Sequence, residues 1–158
     1  MANVRPRETI AEIRNKVAVM RFPYADHDSV ALAEIQQRLT DCARRKELIA
    51  YADLVRGITF KLPTIAQGLP LQLGVPEWIE LHSAILKDFL NRASFDSYSQ
   101  HGVFVSAVAV RKNTGEPSDG FRALVAELRL FHSSRRDDLI VFWGAELKKL
   151  YDFYAGEA

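Results

Sequence analysis

The sequence contains a single cysteine, Cys42, among its 158 residues. One cysteine cannot form an internal disulfide, and small secreted domains with thin cores usually depend on disulfides. A disulfide-stabilised scaffold is therefore excluded, and we expect a chain that folds in a reducing compartment, the cytoplasm. Cys42 itself falls in an apolar helical stripe, where a small inert core residue is expected.

Long hydrophobic runs and an excess of one charge sign are also missing. No stretch of about 18 apolar residues occurs, so the sequence predicts no transmembrane helix, and the charged segment 1–16 lacks the apolar region of a secretory signal. Twenty-one Lys and Arg residues stand against twenty Asp and Glu residues, a formal net charge of +1. Because so nearly neutral a molecule has no overall field, binding to nucleic acid needs a local basic patch. We expect no membrane partner.

Sequence signatures of catalysis and of metal binding are absent. The four histidines are scattered, and there is no G-x-S-x-G, H-E-x-x-H or C-x-x-C motif. His82 lies next to an apolar stripe and is interpreted as a boundary residue, not a ligand or base. Glu146 and Lys148 have the spacing of many nuclease motifs, but residues two apart in a helix point in different directions. The sequence predicts a non-enzymatic protein without metal or cofactor, with an uncharacterised enzyme as the third alternative.

Apolar residues make up 48% of the chain and charged residues 26%, as in a soluble globular domain. No linker and no repeat divides the chain, so residues 1–158 are expected to form one domain. Apolar spacings of three and four residues predict about six helices. Their predicted apolar positions are Ile10, Ile13, Val17 and Met20; Leu32, Ile35, Leu39 and Cys42; Leu54 and Val55; Trp78, Leu81, Ile85 and Phe89; Phe121, Leu124, Val125 and Leu128; and Ile140, Trp143, Leu147, Leu150 and Tyr154.

Two of these helices have recognisable starts. Thr9 and Glu12 have the capping-box spacing, so the first helix is expected to begin at Thr9. Pro76 is expected in the first turn of the fourth helix, where its missing N–H is not needed.

Residues 103–110, VFVSAVAV, are apolar without polar alternation apart from one serine. This pattern predicts a strand buried on both faces at the centre of a small sheet, with Val105 and Val108 in the core. The fold class is therefore expected to be α+β and mainly helical.

The segment that follows, KNTGEPSDG, contains two turn signals ahead of a helix. One interpretation is a phosphate-binding loop, since backbone N–H groups at a helix start attract anions. However, the P-loop spacing is missing, and Glu116 and Asp119 would repel an anion. A turn that ends the strand and caps the next helix is the favoured interpretation.

Basic residues cluster at the end of the second predicted helix, at the end of the strand, and at Arg135 and Arg136. The last two are followed by Asp137 and Asp138, which balance their charge. The others would form one nucleic-acid-binding patch if the fold brings them together. These residues are Arg44, Arg45, Lys46, Arg56, Arg111 and Lys112.

The segment LIAYADLVRGI, residues 48–58, is expected to start extended, to form about two helical turns and to end at Gly57. With a helix before it and an apolar strand with a Gly- and Pro-rich exit later in the chain, it resembles the winged-helix domain of the alkylguanine-DNA alkyltransferase family. In that family a segment of the ITYGELA kind opens the helix-turn-helix. The resemblance covers about a third of the chain and implies a winged-helix-like fold. The active-site motif PCHR is absent and Cys42 precedes the similar segment, so no residue of alkyl transfer is implied.

Two functional hypotheses follow from these features. The leading one is a non-enzymatic winged-helix module in which the six basic residues bind duplex DNA, or which binds a nucleic-acid-handling protein. The alternative is a helical module that forms a homodimer or binds another protein through its C-terminal helix, with Trp143, Phe153 and Tyr154 at the contact and no nucleic acid involved. A single basic face favours the first hypothesis, and dispersed basic residues favour the second.

Overall fold

The computed structural model describes residues 10–156, without the side chain of Ile10. The predicted start of the first helix, Thr9, lies outside these described residues. Within this range the chain is mainly helical with a small parallel sheet, which confirms the α+β class. The helices are α1 (Ile10–Val19), α2 (Ser29–Arg45), α3 (Tyr51–Val55), α4 (Glu80–His101), α5 (Asp119–Glu127) and α6 (Arg136–Ala155), and the strands are β1 (Ile49–Ala50) and β2 (Ala109–Val110). Short 3-10 turns lie at Ala25–His27, Ala66–Gly68 and Val105–Val108.

Helix α2 forms as its apolar spacing predicts, because Ile35, Leu39 and Cys42 share one buried face. Asp28 caps its start: one carboxylate oxygen accepts the N–H of Ala31 at 3.0 Å. The chain leaves α2 through Lys46, whose backbone is left-handed with a φ of 55°, and passes directly into β1.

The segment 48–58 has its predicted order of extended chain, short helix and glycine, although α3 has only five residues, which is less than the two turns expected. It runs through the two residues of β1 into α3, and Gly57 follows the helix with a φ of 79°. A left-handed backbone of this kind is the conformation for which glycine is favoured. The segment therefore places the start of α3 immediately after β1.

Helix α4 contacts α1, α2 and the Val105–Val108 turn, and so forms the centre of the described fold. Ile85 and Phe89 are buried on it, as predicted. The helix begins at Glu80, so the prediction that Pro76 lies in its first turn is wrong.

Trp78 and Leu81 were also predicted on the apolar face of α4, but each is 38% exposed. The reason is a loop that precedes the helix. The ring nitrogen Nδ1 of the buried His82 accepts the backbone N–H groups of Gly74 and Ile79, which closes residues 74–79 ahead of α4. We call these six residues the Trp78 loop.

Residues 103–110 are all buried, and the predicted burial of Val105 and Val108 is confirmed. The prediction of a strand over the whole segment, with the sheet centred on it, is wrong. Only β2 is a strand, paired in parallel with β1 so that Ile49 lies opposite Ala109.

Side-chain hydrogen bonds explain why the segment turns before it becomes a strand. The Ser97 hydroxyl accepts the N–H of Val105 at 3.1 Å and donates to the carbonyl of Val103 at 2.7 Å. Ser94 donates a short hydrogen bond to the Ser106 hydroxyl. These serines of α4 take the place of a neighbouring strand, and the backbone coils into a 3-10 turn.

The turn after β2 is as predicted. The N–H of Arg111 donates to the carbonyl of Glu116 and that of Gly115 to the carbonyl of Arg111, each at 2.8 Å. The Ser118 hydroxyl then accepts the N–H of Gly120 at 3.2 Å and caps α5. The turn therefore ends the strand and starts the helix within eight residues, 111–118.

The described buried apolar side chains other than Val110 form one contiguous cluster, to which α6 adds Leu139 and Leu150. None of the described helices combines the length and the apolar character that a membrane span requires.

Candidate ligand pocket

A pocket of about 660 Å³ opens where the two strands end. Because β1 and β2 are parallel, the residues that follow them meet at one edge of the sheet. This is the edge at which open α/β proteins place their ligands. The residues after both strands, the Trp78 loop, the first half of α4 and the start of α5 all contribute to its lining.

Trp78 forms an aromatic wall of this pocket. Its indole N–H donates to the Ser83 hydroxyl at 2.7 Å, so the polar edge of the ring is satisfied and ring carbon remains exposed. The indole also packs edge to face on the imidazole of His82, with 5.7 Å between ring centroids. Gly74 also lies close to the ring, because a Cβ atom there would be 3.3 Å from an indole carbon. These contacts hold the ring in one orientation.

Leu86 and Leu90 of α4 contribute apolar side chains to the pocket, together with Ala52 of α3. Lys87, also on α4, lies close to the start of α5: a Cβ atom at Gly120 would lie 3.7 Å from the Cγ of Lys87. The aliphatic part of Lys87 therefore covers the start of α5, and the long side chain carries its charge toward solvent.

Two of the three cations of the pocket have no carboxylate partner. Arg111 lies 3.6 Å from Asp119, in an exposed pair. Lys87 and Lys112 form no ion pair with any carboxylate between residues 10 and 156. Unpaired ammonium groups at the rim of an apolar pocket favour an anionic ligand.

Three hydroxyl groups of the pocket are used as acceptors. Tyr51 accepts the N–H of Ser118 at 3.0 Å, Ser83 accepts from Trp78 and Ser118 accepts from Gly120. None of these hydroxyls donates to an acceptor within the described part of the chain, so their protons are available to a ligand. The pocket thus offers both hydroxyl and ammonium donors to a ligand.

The structure places only two of the six predicted nucleic-acid-binding residues in this pocket, Arg111 and Lys112. Arg44, Arg45 and Lys46 lie before β1, whereas Arg111 follows β2, so the two groups are at opposite ends of the parallel pair. This is the dispersed arrangement that favours the alternative hypothesis of a protein-binding module, so any nucleic-acid binding has to rest on the pocket and not on the six-residue patch.

Three of the other four predicted basic residues, Arg44, Arg45 and Arg56, have local carboxylate partners, whereas Lys46 forms no ion pair with a carboxylate between residues 10 and 156. Arg44 lies 3.9 Å from Asp41 and Arg45 lies 3.1 Å from Glu47. Arg56, after α3, pairs with Asp53 at 2.5 Å. Their charge is balanced locally, in contrast to that of Lys87 and Lys112.

The three predicted partner-binding residues of α6 are partly buried and have contacts within the chain. Trp143 donates to the carbonyl of Ala107 at 2.8 Å. Phe153 stacks on His101 with centroids 4.8 Å apart, and the guanidinium of Arg44 lies 5.5 Å from the ring centre of Tyr154. Less aromatic surface is exposed here than the helical pattern suggests.

Glu146 and Lys148 point in different directions, as predicted. Glu146 is buried, with Lys149 3.4 Å from its carboxylate, whereas Lys148 is exposed and pairs with Asp152 at 2.6 Å. Between residues 10 and 156 no three His, Cys, Asp or Glu side chains are grouped so that they could hold a metal ion.

Cys42 is buried in the core, as its place in the stripe predicts. Burial raises the pKa of its thiol, and the nearby guanidinium of Arg45 offsets only part of this effect.

Sequence reasoning did not find Tyr51, Trp78, Ser83 and Lys87 as site residues. They come from two segments that are distant in the sequence, Tyr51 directly after β1 and the other three within residues 78–87, and the two segments meet only through packing. The apolar spacing predicts Trp78 on the core face of the fourth helix, because nothing in the pattern indicates that this helix begins only at Glu80.

Comparison with protein families, with curated proteins and with solved structures finds no match for this chain.

Proposed function

We propose that the protein is a non-enzymatic nucleic-acid-binding module, and that the pocket beside Trp78 takes one nucleotide of the bound strand. The observation that carries this proposal is the combination of two unpaired ammonium groups, on Lys87 and Lys112, with an exposed, fixed indole in the same pocket. An indole offers a stacking face to any base, and the ammonium groups suit the phosphates on either side of it.

The dimensions of the pocket support a single nucleotide. Its volume of about 660 Å³ lies within the range of sites for drug-sized ligands. It exceeds what a free phosphate fills, and its apolar lining of Leu86, Leu90 and Ala52 suits the flat part of a ligand. The hydroxyl donors of Tyr51 and Ser118 would then face the polar part.

Binding is expected to be sequence-tolerant. Base-specific recognition depends on side chains that match the donor and acceptor pattern of base edges, such as the carboxamides of Asn and Gln and the guanidinium donors of Arg. Asn113 is the single carboxamide of the pocket, and Arg111 is engaged with Asp119. Stacking and phosphate attraction, which are shared by all nucleotides, are therefore the main expected contributions.

In the winged-helix form of this proposal, α2 and α3 are the helix pair and residues 111–118 are the wing. What supports it is the Tyr51 hydroxyl, which accepts the N–H of Ser118 at 3.0 Å and keeps this loop beside the first turn of α3. The loop also carries Lys112, one of the two pocket cations that form no ion pair with a carboxylate of the described residues.

The proposal is tested by fluorescence anisotropy at low salt, with labelled single-stranded and duplex oligonucleotides of mixed sequence and with free nucleotides as competitors. We expect binding of at least one nucleic acid with little sequence preference. Trp78→Ala should weaken it by roughly 5-fold to 150-fold, the cost of about 1–3 kcal/mol for a lost base stack.

Leu81→Ala is the matched control, because Leu81 has the same exposed fraction as Trp78, 38%, and does not line the pocket. It should leave the affinity unchanged. Absence of binding to every oligonucleotide up to high micromolar concentration, or equal losses in the two variants, would overturn the proposal.

A further inference from the structure

His82 is the third residue of α4 and is 3% exposed, although both of its neighbours in sequence, Leu81 and Ser83, are exposed. Its Nδ1 atom accepts the N–H of Gly74 at 3.0 Å and the N–H of Ile79 at 3.4 Å. These two residues are the first and last of the Trp78 loop. One nitrogen atom therefore closes the loop that carries the aromatic wall of the pocket.

This hydrogen-bonding arrangement requires a neutral imidazole with its proton on Nε2, because an acceptor nitrogen carries no proton. Protonation of Nδ1 would turn the acceptor into a donor that faces two other donors. No carboxylate of the described residues lies within ion-pair distance of the imidazole ring. The acidic residues nearest in sequence are Glu77 of the Trp78 loop and Glu80 of α4, and both are exposed. A protonated ring would thus lose both bonds without a compensating ion pair.

We propose that His82 is a positioning residue that holds the Trp78 wall of the pocket in its neutral form and releases it when the imidazole is protonated. The loop is exposed at Val75, Pro76 and Glu77, so it can move without disrupting buried contacts at these positions. The ligand-binding consequence rests on the proposed function above. The control of loop position by His82 does not, and can be measured in ligand-free protein.

Two substitutions separate the effect of the hydrogen-bond acceptor at position 82 from the effect of its protonation. His82→Asn places an amide oxygen near the position of Nδ1, and this acceptor takes up no proton between pH 8 and pH 5. His82→Leu removes the acceptor and keeps an apolar side chain. Both are made in a Trp143→Phe background, so that Trp78 is the single tryptophan and its fluorescence reports the loop.

The first measurement is acrylamide quenching of Trp78 in ligand-free protein between pH 8 and pH 5. We expect quenching to increase as the pH falls with histidine at position 82, to stay constant and low in His82→Asn, and to be high at every pH in His82→Leu. The same pH response with histidine and with asparagine would overturn the proposal, because the other histidines would then be responsible. This comparison holds even if His82→Leu does not fold.

The second measurement is the affinity for an oligo-dT without terminal phosphate, whose charge is constant over this pH range. At pH 8 the affinity should be on the order of tenfold lower in His82→Leu than with histidine, since two hydrogen bonds of the wall are lost. With histidine, but not in His82→Asn, the affinity should fall toward that of His82→Leu as the pH is lowered. If the oligonucleotide does not bind at pH 8 but the quenching response is present, the proposed function fails and the role of His82 stands. If it binds and quenching does not depend on residue 82, the role of His82 fails alone.

Discussion

Cys42 shows how burial and charge combine at a single residue. Its pKa is raised, chiefly because burial disfavours the thiolate, so the thiol is protonated over the physiological pH range and to a higher pH than a free cysteine. Since only the thiolate attacks disulfide reagents, low exposure and a raised pKa act in the same direction.

We therefore expect native Cys42 to react with Ellman's reagent at least about a hundredfold more slowly than free cysteine. The same protein in concentrated guanidinium chloride, where burial is lost, is the control and should react at the rate of free cysteine. Rapid reaction of the native protein at neutral pH would show an accessible thiolate at this position and would contradict the described core.

Among the elements, the helices were the most predictable, because their apolar side chains recur at the helical period and meet one core. Ile35 and Leu39 on α2 are examples, with the cap at Asp28 one residue ahead of the helix. The start of α4 was not predictable, because it depends on two backbone bonds to His82, a side chain further along the same segment.

Segment 103–110 shows a different limit of sequence patterns. Uniform apolar character predicts burial on all sides, and that is confirmed, but it does not distinguish a strand from a compact turn. The distinction is made by Ser97 and Ser94, which lie on α4 and bond to this segment. Their contribution becomes visible only when the two segments are packed together.

Val108 tests the core position of this segment, because its side chain is completely buried. Val108→Asp would place a charge in the core without a partner, at a cost that exceeds the stability of most domains of this size. We expect insoluble or unfolded protein by circular dichroism and size-exclusion chromatography.

Val141→Asp is the matched control, since Val141 on α6 is 74% exposed. Its effect on the free energy of unfolding should be within about 0.5 kcal/mol. A soluble Val108→Asp protein that melts cooperatively would contradict the placement of residues 103–110.

At the scale of the whole molecule, self-association through α6 stays a prediction. Phe153 and Tyr154 are expected near such a contact, and they pack on each other with ring centroids 5.0 Å apart. Light scattering at micromolar concentration should give the mass of two chains, and Phe153→Glu should reduce it to one. A one-chain mass for the parent protein, unchanged in a folded Phe153→Glu variant, would exclude the homodimer.

The candidate pocket shows what the sequence left undetermined. The sequence singles out Arg111 and Lys112 as basic residues at the end of an apolar segment, but nothing local to Lys87 or Tyr51 indicates that these two residues line the same pocket. Those positions depend on the parallel pairing of β1 with β2, which involves only two residues on each side. So short a pairing leaves no recognisable pattern in the sequence.

The central claim, that nucleic acid binds at the pocket and not at the basic residues before β1, is tested most directly by the salt dependence of affinity. Two double variants remove equal charge, Lys87→Gln with Lys112→Gln at the pocket and Arg45→Gln with Lys46→Gln before β1. For a single strand, each lost phosphate contact lowers the slope of log affinity against log salt by about 0.7. The slope of the pocket variant should therefore be flatter by about 1.4 than that of the parent protein. The slope of the Arg45 and Lys46 variant should equal that of the parent protein. A flatter slope in the Arg45 and Lys46 variant, with the pocket variant unchanged, would contradict this account.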